Sequence, residues 1–393
     1  MSNDNKLSCT NPIAPLGLVP TKSCINLSQK ANDYLLSWRT ERPQDCRVDT
    51  VNSSYKDHSF IIHADAPRFG SGEGKGVIQQ SIRGMDLYFM VDVMNHNLTY
   101  SLCGNENHYS PDDHFSDLKR LIAATNGKAK RINVIMPFMY ESRQHRRSAR
   151  ESLDCALALQ DLVNMGVDNI ITFDAHDPRV QNAIPLHGFE SVPASYQFIK
   201  NICKNVDDLQ LDNNHLMIVS PDEGATKRAI YLASVLGVDM GMFYKRRDYS
   251  KIVDGRNPIE AHEFLGASVE GKDVFVVDDM ISSGESMIDV ATELKKRNAG
   301  RIFVISTFGL FTNGMKVFDD AVEQGLIYKV VTTNLCYQTP ELLSRDYYIN
   351  CDMSKYIAFI IDTLNHDASM SGLLDPYDRI TAYLEKYKNS QKL

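Results

Sequence analysis

Two adjacent carboxylates, Asp278 and Asp279, stand just ahead of a short run rich in hydroxyls, Ser282-Ser283-Gly284-Glu285-Ser286. Neighbouring carboxylates accept hydrogen bonds from sugar hydroxyls. Serine hydroxyls and the bare N–H groups of a helix start, backed by the positive end of the helix dipole, suit a bound phosphate. A phosphosugar, with hydroxyls at one end and phosphate at the other, meets both demands. The elements that must position these groups lie on either side. Residues 274–277, Val-Phe-Val-Val, are an apolar run of the kind that forms a central parallel strand. Met287, Val290, Ala291 and Leu294 then recur at i, i+3, i+4 and i+7, which predicts an amphipathic helix starting at the loop. The plain alternative is an ordinary strand-to-helix turn in which Ser286 caps the helix.

Other polar groups also fall at the ends of apolar runs. Residues 132–137 read as a strand closed by Pro137, followed by Arg143, Gln144, His145, Arg146 and Arg147, with Arg150 beyond. Like charges this dense either face solvent or are neutralised by an anion, and in a chain of net charge −8 a polyphosphate fits them. Residues 169–173 form a strand that feeds Asp174-Ala175-His176-Asp177. A lone histidine is more often structural, but ligands in parallel α/β sheets collect at the carboxyl ends of strands. Residues 216–220 lead into Pro221-Asp222-Glu223-Gly224 in the same way. Residues 242–248 are basic and open a long polar connection reaching about Gly266, with an exposed turn as the plain reading. The turn-rich stretch from Arg68 through Phe69, Ser71 and Glu73 joins two strands.

The whole chain bounds these readings. At 393 residues it has room for two domains with separate cores. Its 43% hydrophobic and 23% charged content is that of a folded soluble protein. The net charge of −8 argues against a general nucleic-acid surface. No apolar run reaches the roughly 20 residues of a membrane span. The first residues hold no signal-peptide core, so a cytoplasmic protein is expected, without membrane or nucleic-acid partners. Its eight cysteines show no metal-ligand spacing and read as reduced, packed thiols, with Cys103 and Cys155 the candidates for reactivity. The polar stretches 39–57 and 95–113 read as insertions, the second bringing in His108 and His114 as solvated loop histidines.

The stretch 276–286 resembles the phosphoribosyl-pyrophosphate loop shared by type I phosphoribosyltransferases and ribose-phosphate pyrophosphokinases. In that family the two acids hold the ribose hydroxyls and the loop wraps the 5-phosphate. The resemblance extends over most of residues 60–365 through five motifs in the family's order, and identifies the chain as a divergent pyrophosphokinase-like member with insertions. By that match Phe69, Ser71 and Glu73 serve the adenine and ribose of ATP. Arg143 and Gln144 match ATP ligands of a Tyr-Ala-Arg-Gln-Asp motif, with His145 standing where the family carries Asp. His176 matches the histidine facing metal and β-phosphate, and Asp222 the aspartate that binds Mg²⁺. Lys245 and Arg247 match the cations that stabilise charge on the transferred group.

The resemblance implies an α/β fold of two phosphoribosyltransferase-like domains, each a mainly parallel sheet flanked by helices. The expected divisions are a polar arm at 1–15, an ATP-side domain at 16–205, a ribose 5-phosphate-side domain at 206–365 and a tail at 366–393. It further implies a homo-oligomer that uses Mg²⁺ and converts ATP and ribose 5-phosphate to phosphoribosyl pyrophosphate and AMP. Asp278 and Asp279 would orient the sugar, while Ser282, Ser283, Gly284 and Ser286 hold its phosphate. Ser282 stands where the family usually has aspartate, and Glu285 where it has a small residue. Those departures keep open a pyrophosphokinase for a larger 5-substituted ribose such as ADP-ribose. A phosphoribosyltransferase and a non-catalytic regulatory homologue are the other rivals.

Overall fold

The structure, a computed structural model, describes residues 11–41, 58–247 and 259–390, with the side chains of 245–247, 259–262 and 390 left out. Residues 1–10 of the expected arm, 42–57 of the first expected insertion, 248–258 of the polar connection and 391–393 of the expected tail lie outside the described residues. The chain forms two compact units. One is Met1–Pro193 with Asn334–Tyr337 and Asp352–Pro376; the other is Ala194–Thr333 with Gln338–Cys351 and Tyr377–Leu393.

In chain order, the strands of the first unit are β1 (Leu16–Pro20), a hairpin of β2 (Ala64–Asp65) and β3 (Val77–Ile78), β4 (Asp86–Met90), a hairpin of β5 (Thr99–Leu102) and β6 (Asn105–His108), β7 (Arg131–Ile135), β8 (Asn169–Phe173) and β9 (Gly188–Val192). Five of them make a parallel sheet in the order β1-β4-β7-β8-β9. Every residue of β4 is buried, as a strand covered on both faces by helices must be. Residues 60–62 run alongside β1 through a single bridge from Leu18 to Ile61, burying Phe60 and Ile62.

The second unit holds β10 (Leu216–Ser220), β11 (Asp239–Arg247), β12 (Ile259–Leu265), β13 (Asp273–Ile281), β14 (Ile302–Gly309), β15 (Lys329–Thr333) and β16 (Tyr348–Cys351). They form one sheet in the order β12-β11-β10-β13-β14-β15-β16, parallel except for the β11–β12 pair. The basic stretch 242–247 is therefore strand, not turn, and β12 occupies part of the expected polar connection. Alternation explains the core. Val274 and Val276 of β13, Ile302 and Val304 of β14, and Met287, Val290, Ala291 and Leu294 of the following helix bury together against Phe318.

The second expected insertion is ordered. Leu102 pairs with Asn105 across Cys103 and Gly104, whose φ values of 51° and 84° make the tight, left-handed turn that suits strand twist. His114 belongs to the helix Pro111–Ala124, which a Ser110–Asp113 capping box opens. It is a buried structural histidine and not a solvated one: Nε2 lies 2.7 Å from the Asn95 carbonyl, and burial lowers its pKa. Cys24, Cys155, Cys203, Cys336 and Cys351 are buried thiols, with Cys155 pushed up to about 12 by burial, while Cys103 is exposed.

The boundary expected at 205/206 follows a polar connection in the sequence, whereas compactness follows packing. The helix Ser195–Asn205 lies on β15 and β16 and joins the second unit; the helix Ser354–Asn365 lies on Ile25–Glu41 and joins the first. Trp38 stacks on Phe359 across that joint at 4.2 Å. At its end, fully buried Asp86 accepts hydrogen bonds from Arg131 Nε and Nη2, both 2.8 Å, and from Asn133 and Asn365 Nδ2, both 2.9 Å. Asn365 Oδ1 in turn accepts from Arg39 Nη2 at 2.7 Å.

Removing one partner of a buried ion pair leaves the other charge uncompensated. Asp86→Ala should therefore lower stability by about 3–5 kcal/mol in urea unfolding. Trp38, the only tryptophan, reports the transition; an unmoved midpoint would mean that the network contributes nothing.

Candidate active site

The acid pair, the loop and the helix start are consecutive pieces of one strand–turn–helix unit. β13 runs two residues past Asp279 to Ile281, three residues turn at 282–284, and the helix Glu285–Lys296 begins at once. Gly284 is the residue before the helix, at φ 94°, and no side chain caps the first turn, so Ser286 is not the cap. A Cβ on Gly284 would fall 2.4 Å from the Phe318 ring, a second reason for glycine here. The turn is tied to the next strand end: Leu310 N donates to Ile281 O at 2.9 Å and Thr312 N to Ser282 O at 3.0 Å. Among the described residues the N–H groups of Ser283, Gly284, Glu285 and Ser286 donate to no protein acceptor. Those donors and the dipole end form an anion cradle. Glu285 is exposed, so the carboxylate that departs from the family pattern faces solvent.

The acid cluster stands above fully apolar strand. Asp279 is buried at 3% exposure, and its N–H donates to Asp278 Oδ1 at 2.8 Å. Arg228 Nη2, from the helix Thr226–Leu236, comes within 3.8 Å of Asp279 Oδ2. Asp222 follows β10, the neighbour of β13, and its Oδ1 accepts from Gly224 N at 2.8 Å and Ala225 N at 3.4 Å. Burial first, then the charge of Asp279 and more weakly that of Asp222, raise Asp278 well above the ordinary carboxylate range. Like charges about 4 Å apart repel by about 4 kcal/mol at an effective dielectric constant near 20, a cost that Arg228 beside Asp279 and the amides at Asp222 offset in part.

In the first unit the basic and histidine groups follow β7 and β8. Arg143 is exposed, and Gln144 Nε2 donates to Ser152 O at 2.8 Å. His145 joins the two strand ends: Nε2 lies 3.5 Å from Asp177 Oδ2, Nδ1 lies 3.3 Å from Ser142 O, and the ring meets that of His176 edge-on at 5.3 Å. Asp177 is held well below the ordinary range, chiefly by side-chain hydrogen bonds from Arg179. The histidine that replaces the family's acid thus has a carboxylate of its own, supplied from β8's end. Phe69 is 53% exposed on a separate turn, where Ser71 Oγ donates to Glu73 Oε2 at 2.8 Å. Among the described residues that turn makes no hydrogen bond or ring contact with Arg143, Gln144 or His176.

The structure thus brings Asp222, Asp278, Asp279 and the loop at 282–286 together in one unit, and the segments of Arg143, Gln144 and His176 in the other. Lys245 and Arg247 lie on β11, in register with His262 and Ile259 of β12 across a bulge, and their side chains lie outside the description. Sequence reading missed Arg228 and the His145–Asp177 pair. Nothing in the chain separates Arg228 from Lys227 beside it, and the pair joins residues 32 apart.

A model of the N-terminal domain of ribose phosphate pyrophosphokinase matches residues 19–166, and one of the phosphoribosyl transferase domain matches residues 188–321. Ribose-phosphate pyrophosphokinase from Vibrio parahaemolyticus is 28% identical over 328 residues, covering 81% of this chain and 94% of that protein. The enzyme of the same name from Ralstonia nicotianae is 29% identical over 266 residues, covering 66% of this chain and 75% of that protein. The crystal structure of phosphoribosylpyrophosphate synthetase from Mycobacterium smegmatis aligns with a TM-score of 0.68 at 19% identity, over 90% of this chain and 99% of that one. The fold is therefore α/β with two phosphoribosyltransferase-like domains, each built on a mainly parallel sheet. With both domain models matching in succession and the Vibrio parahaemolyticus enzyme aligned over 94% of its length, the chain belongs to the ribose-phosphate pyrophosphokinase family as a divergent member with insertions.

The raised Asp278 yields a stability test. Its folded-state pKa lies above that of an unfolded aspartate, about 3.9, so its contribution is fully present below that value and is lost as pH rises through the folded pKa. Asp278→Asn should raise the thermal midpoint of the ligand-free protein by a few degrees at about pH 8, with the gain vanishing near about pH 4. A variant no more stable than wild type at the higher pH would overturn the claim that the buried Asp278 charge costs stability.

Proposed function

We propose that the protein transfers the pyrophosphoryl group of ATP to the anomeric hydroxyl of ribose 5-phosphate, releasing phosphoribosyl pyrophosphate and AMP. The observation that carries this reading is the strand–turn–helix unit of residues 273–296, where a carboxylate pair adjoins a run of uncommitted backbone N–H donors. A pentose phosphate answers both features at once: its hydroxyls relieve the carboxylate repulsion and its phosphate accepts the N–H groups. In this reading Asp278 and Asp279 orient the sugar, and residues 282–286 hold its phosphate through main-chain amides and the hydroxyls of Ser282, Ser283 and Ser286. The exposed Glu285 leaves the cradle free of an inward carboxylate, which supports ribose 5-phosphate as the acceptor.

Phe69, Ser71 and Glu73 take the adenine and ribose of ATP, Phe69 offering an exposed ring for stacking. Arg143 and Gln144 take the polyphosphate. The anomeric oxygen attacks the β-phosphorus and AMP departs, a displacement that asks the protein mainly for positioning and charge compensation. His176, Lys245 and Arg247 supply the latter. Asp222 and His176 would each offer a Mg²⁺ ligand alongside phosphate oxygens, and the ion would supply charge neutralisation. Among the described residues no group of three or more acidic, histidine or cysteine side chains is built to cage a metal by itself. That suits magnesium, which keeps several waters and takes further ligands from substrate phosphates.

The test is AMP release from ATP and Mg²⁺, with ribose 5-phosphate, with ADP-ribose and with neither. Release only with ribose 5-phosphate is expected; preference for ADP-ribose would change the acceptor, and no release in any arm would leave a binding protein. Lys245→Ala should cut turnover about a hundredfold or more with ATP affinity nearly kept, as for loss of one transition-state donor. Unchanged turnover would remove Lys245 from the chemistry.

A further inference from the structure

The 69–73 turn is built from a chain that is intrinsically hard to hold still. Gly70, Gly72, Gly74 and Gly76 alternate through it, and glycine loses more backbone freedom on ordering than any other residue. Within the turn only Phe69 N to Glu73 O at 2.7 Å, Gly72 N to Phe69 O at 2.9 Å and the Ser71–Glu73 side-chain bond oppose that freedom. The base of the stretch is held by the β2–β3 pair, an Arg68–Gly74 bridge, Lys75 N to Pro67 O at 3.2 Å and the helix Pro111–Ala124 behind Gly76; its tip is held by the β5–β6 hairpin.

Three contacts fix the hairpin to the turn. Cys103 N, at the hairpin's tip, donates to Gly70 O at 2.8 Å. Leu102 covers Gly72 so closely that a Cβ there would fall 2.5 Å from Leu102 Cδ1. Arg68, at the root of the turn, places its guanidinium 5.1 Å from the ring centres of both Tyr100 and Tyr109 and pairs with Asp117 at 2.9 Å and Asp113 at 3.4 Å. Its side chain is 6% exposed, so these ring and carboxylate contacts are made largely out of water. The hairpin does this without covering Phe69, whose ring stays half-exposed with Lys75 Nζ 5.8 Å from its centre.

We propose that the β5–β6 hairpin is a positioning element of the nucleotide site: through Leu102, Cys103 and the Arg68–Tyr100–Tyr109 cluster it holds the glycine-rich turn in the form that presents Phe69 and Glu73 to a nucleoside triphosphate. The nucleotide part of this inference rests on the function proposed above. The ordering of the turn by the hairpin stands on the contacts alone. A turn ordered in advance spares the nucleotide that entropy, so the hairpin sets affinity for ATP and leaves the sugar-phosphate site untouched.

Thr99 and His108 face each other across the hairpin, so replacing residues 100–107 by two glycines closes the chain with little strain. In that variant, and more weakly in Leu102→Ala, KM for ATP should rise about tenfold while KM for ribose 5-phosphate and kcat at saturation hold, a change equal to about 1.4 kcal/mol. Leu102→Ile should restore the wild-type value. Amide exchange at Phe69 and Gly72 in the ligand-free protein should speed up in the same two variants. Unchanged exchange, or equal rises in both KM values, would overturn the proposal. Phe69→Ala separates the two levels. If it leaves KM for ATP unchanged, the nucleotide assignment of the turn fails; if it raises KM while the hairpin variants do not, the assignment stands and the positioning role fails.

Discussion

Burial of the Asp278 carboxyl beside Asp279, with Asp222 at the end of the neighbouring strand β10, is the constraint that the second unit has to bear. Asp278 and Asp279 are consecutive and Asp222 follows the adjacent strand, so their charges are kept near one another by covalent geometry and sheet register. Such a gathering survives only on a scaffold that cannot relax away from it. The strands beneath provide that: β10 is buried along its whole length, and residues 274–277 of β13 are buried between β10 and β14. Apolar burial of this extent offsets a local electrostatic penalty of a few kcal/mol.

The anion cradle beside it follows from a second local constraint. β13 passes into its helix through only three residues, which requires Gly284 in the left-handed region and brings Phe318 against its backbone. The tight turn leaves no side chain to cap the helix, so the first N–H groups stay uncommitted. The helices Asp154–Asn164, Ser195–Asn205 and Thr226–Leu236 likewise have no side-chain cap, so what sets this one apart is the acid pair just ahead of it. The uncapped helix start and the acid pair lie within eight residues of each other.

The first unit solves its problems through contacts distant in sequence. Asp86 gathers Arg131, Asn133 and Asn365 around one buried carboxylate and so fixes the helix Ser354–Asn365 to a sheet more than two hundred residues earlier in the chain. His145 meets Asp177 across two strand ends, giving the substituted histidine a carboxylate that no neighbour in sequence supplies. The hairpin at 99–108 reads as a polar insertion in the chain, yet its tip hydrogen-bonds to Gly70 and its strand covers Gly72.

What the sequence determined by itself is what lies within about ten consecutive residues. The apolar run at 274–277, the acids, the loop glycine and the helical spacing after it could all be read directly, as could most strands and helices, because strand and helix periodicities are local. The tertiary structure alone decided that β12 pairs antiparallel beside the basic strand β11, that His114 is buried against Asn95, and that Arg228 approaches Asp279. It also assigned the helix Ser354–Asn365 to the first unit. Each of these depends on which surfaces meet when distant segments bury their apolar faces together. Side-chain identity along the chain constrains that meeting only through the sum of many small contacts, so no single residue pattern announces it.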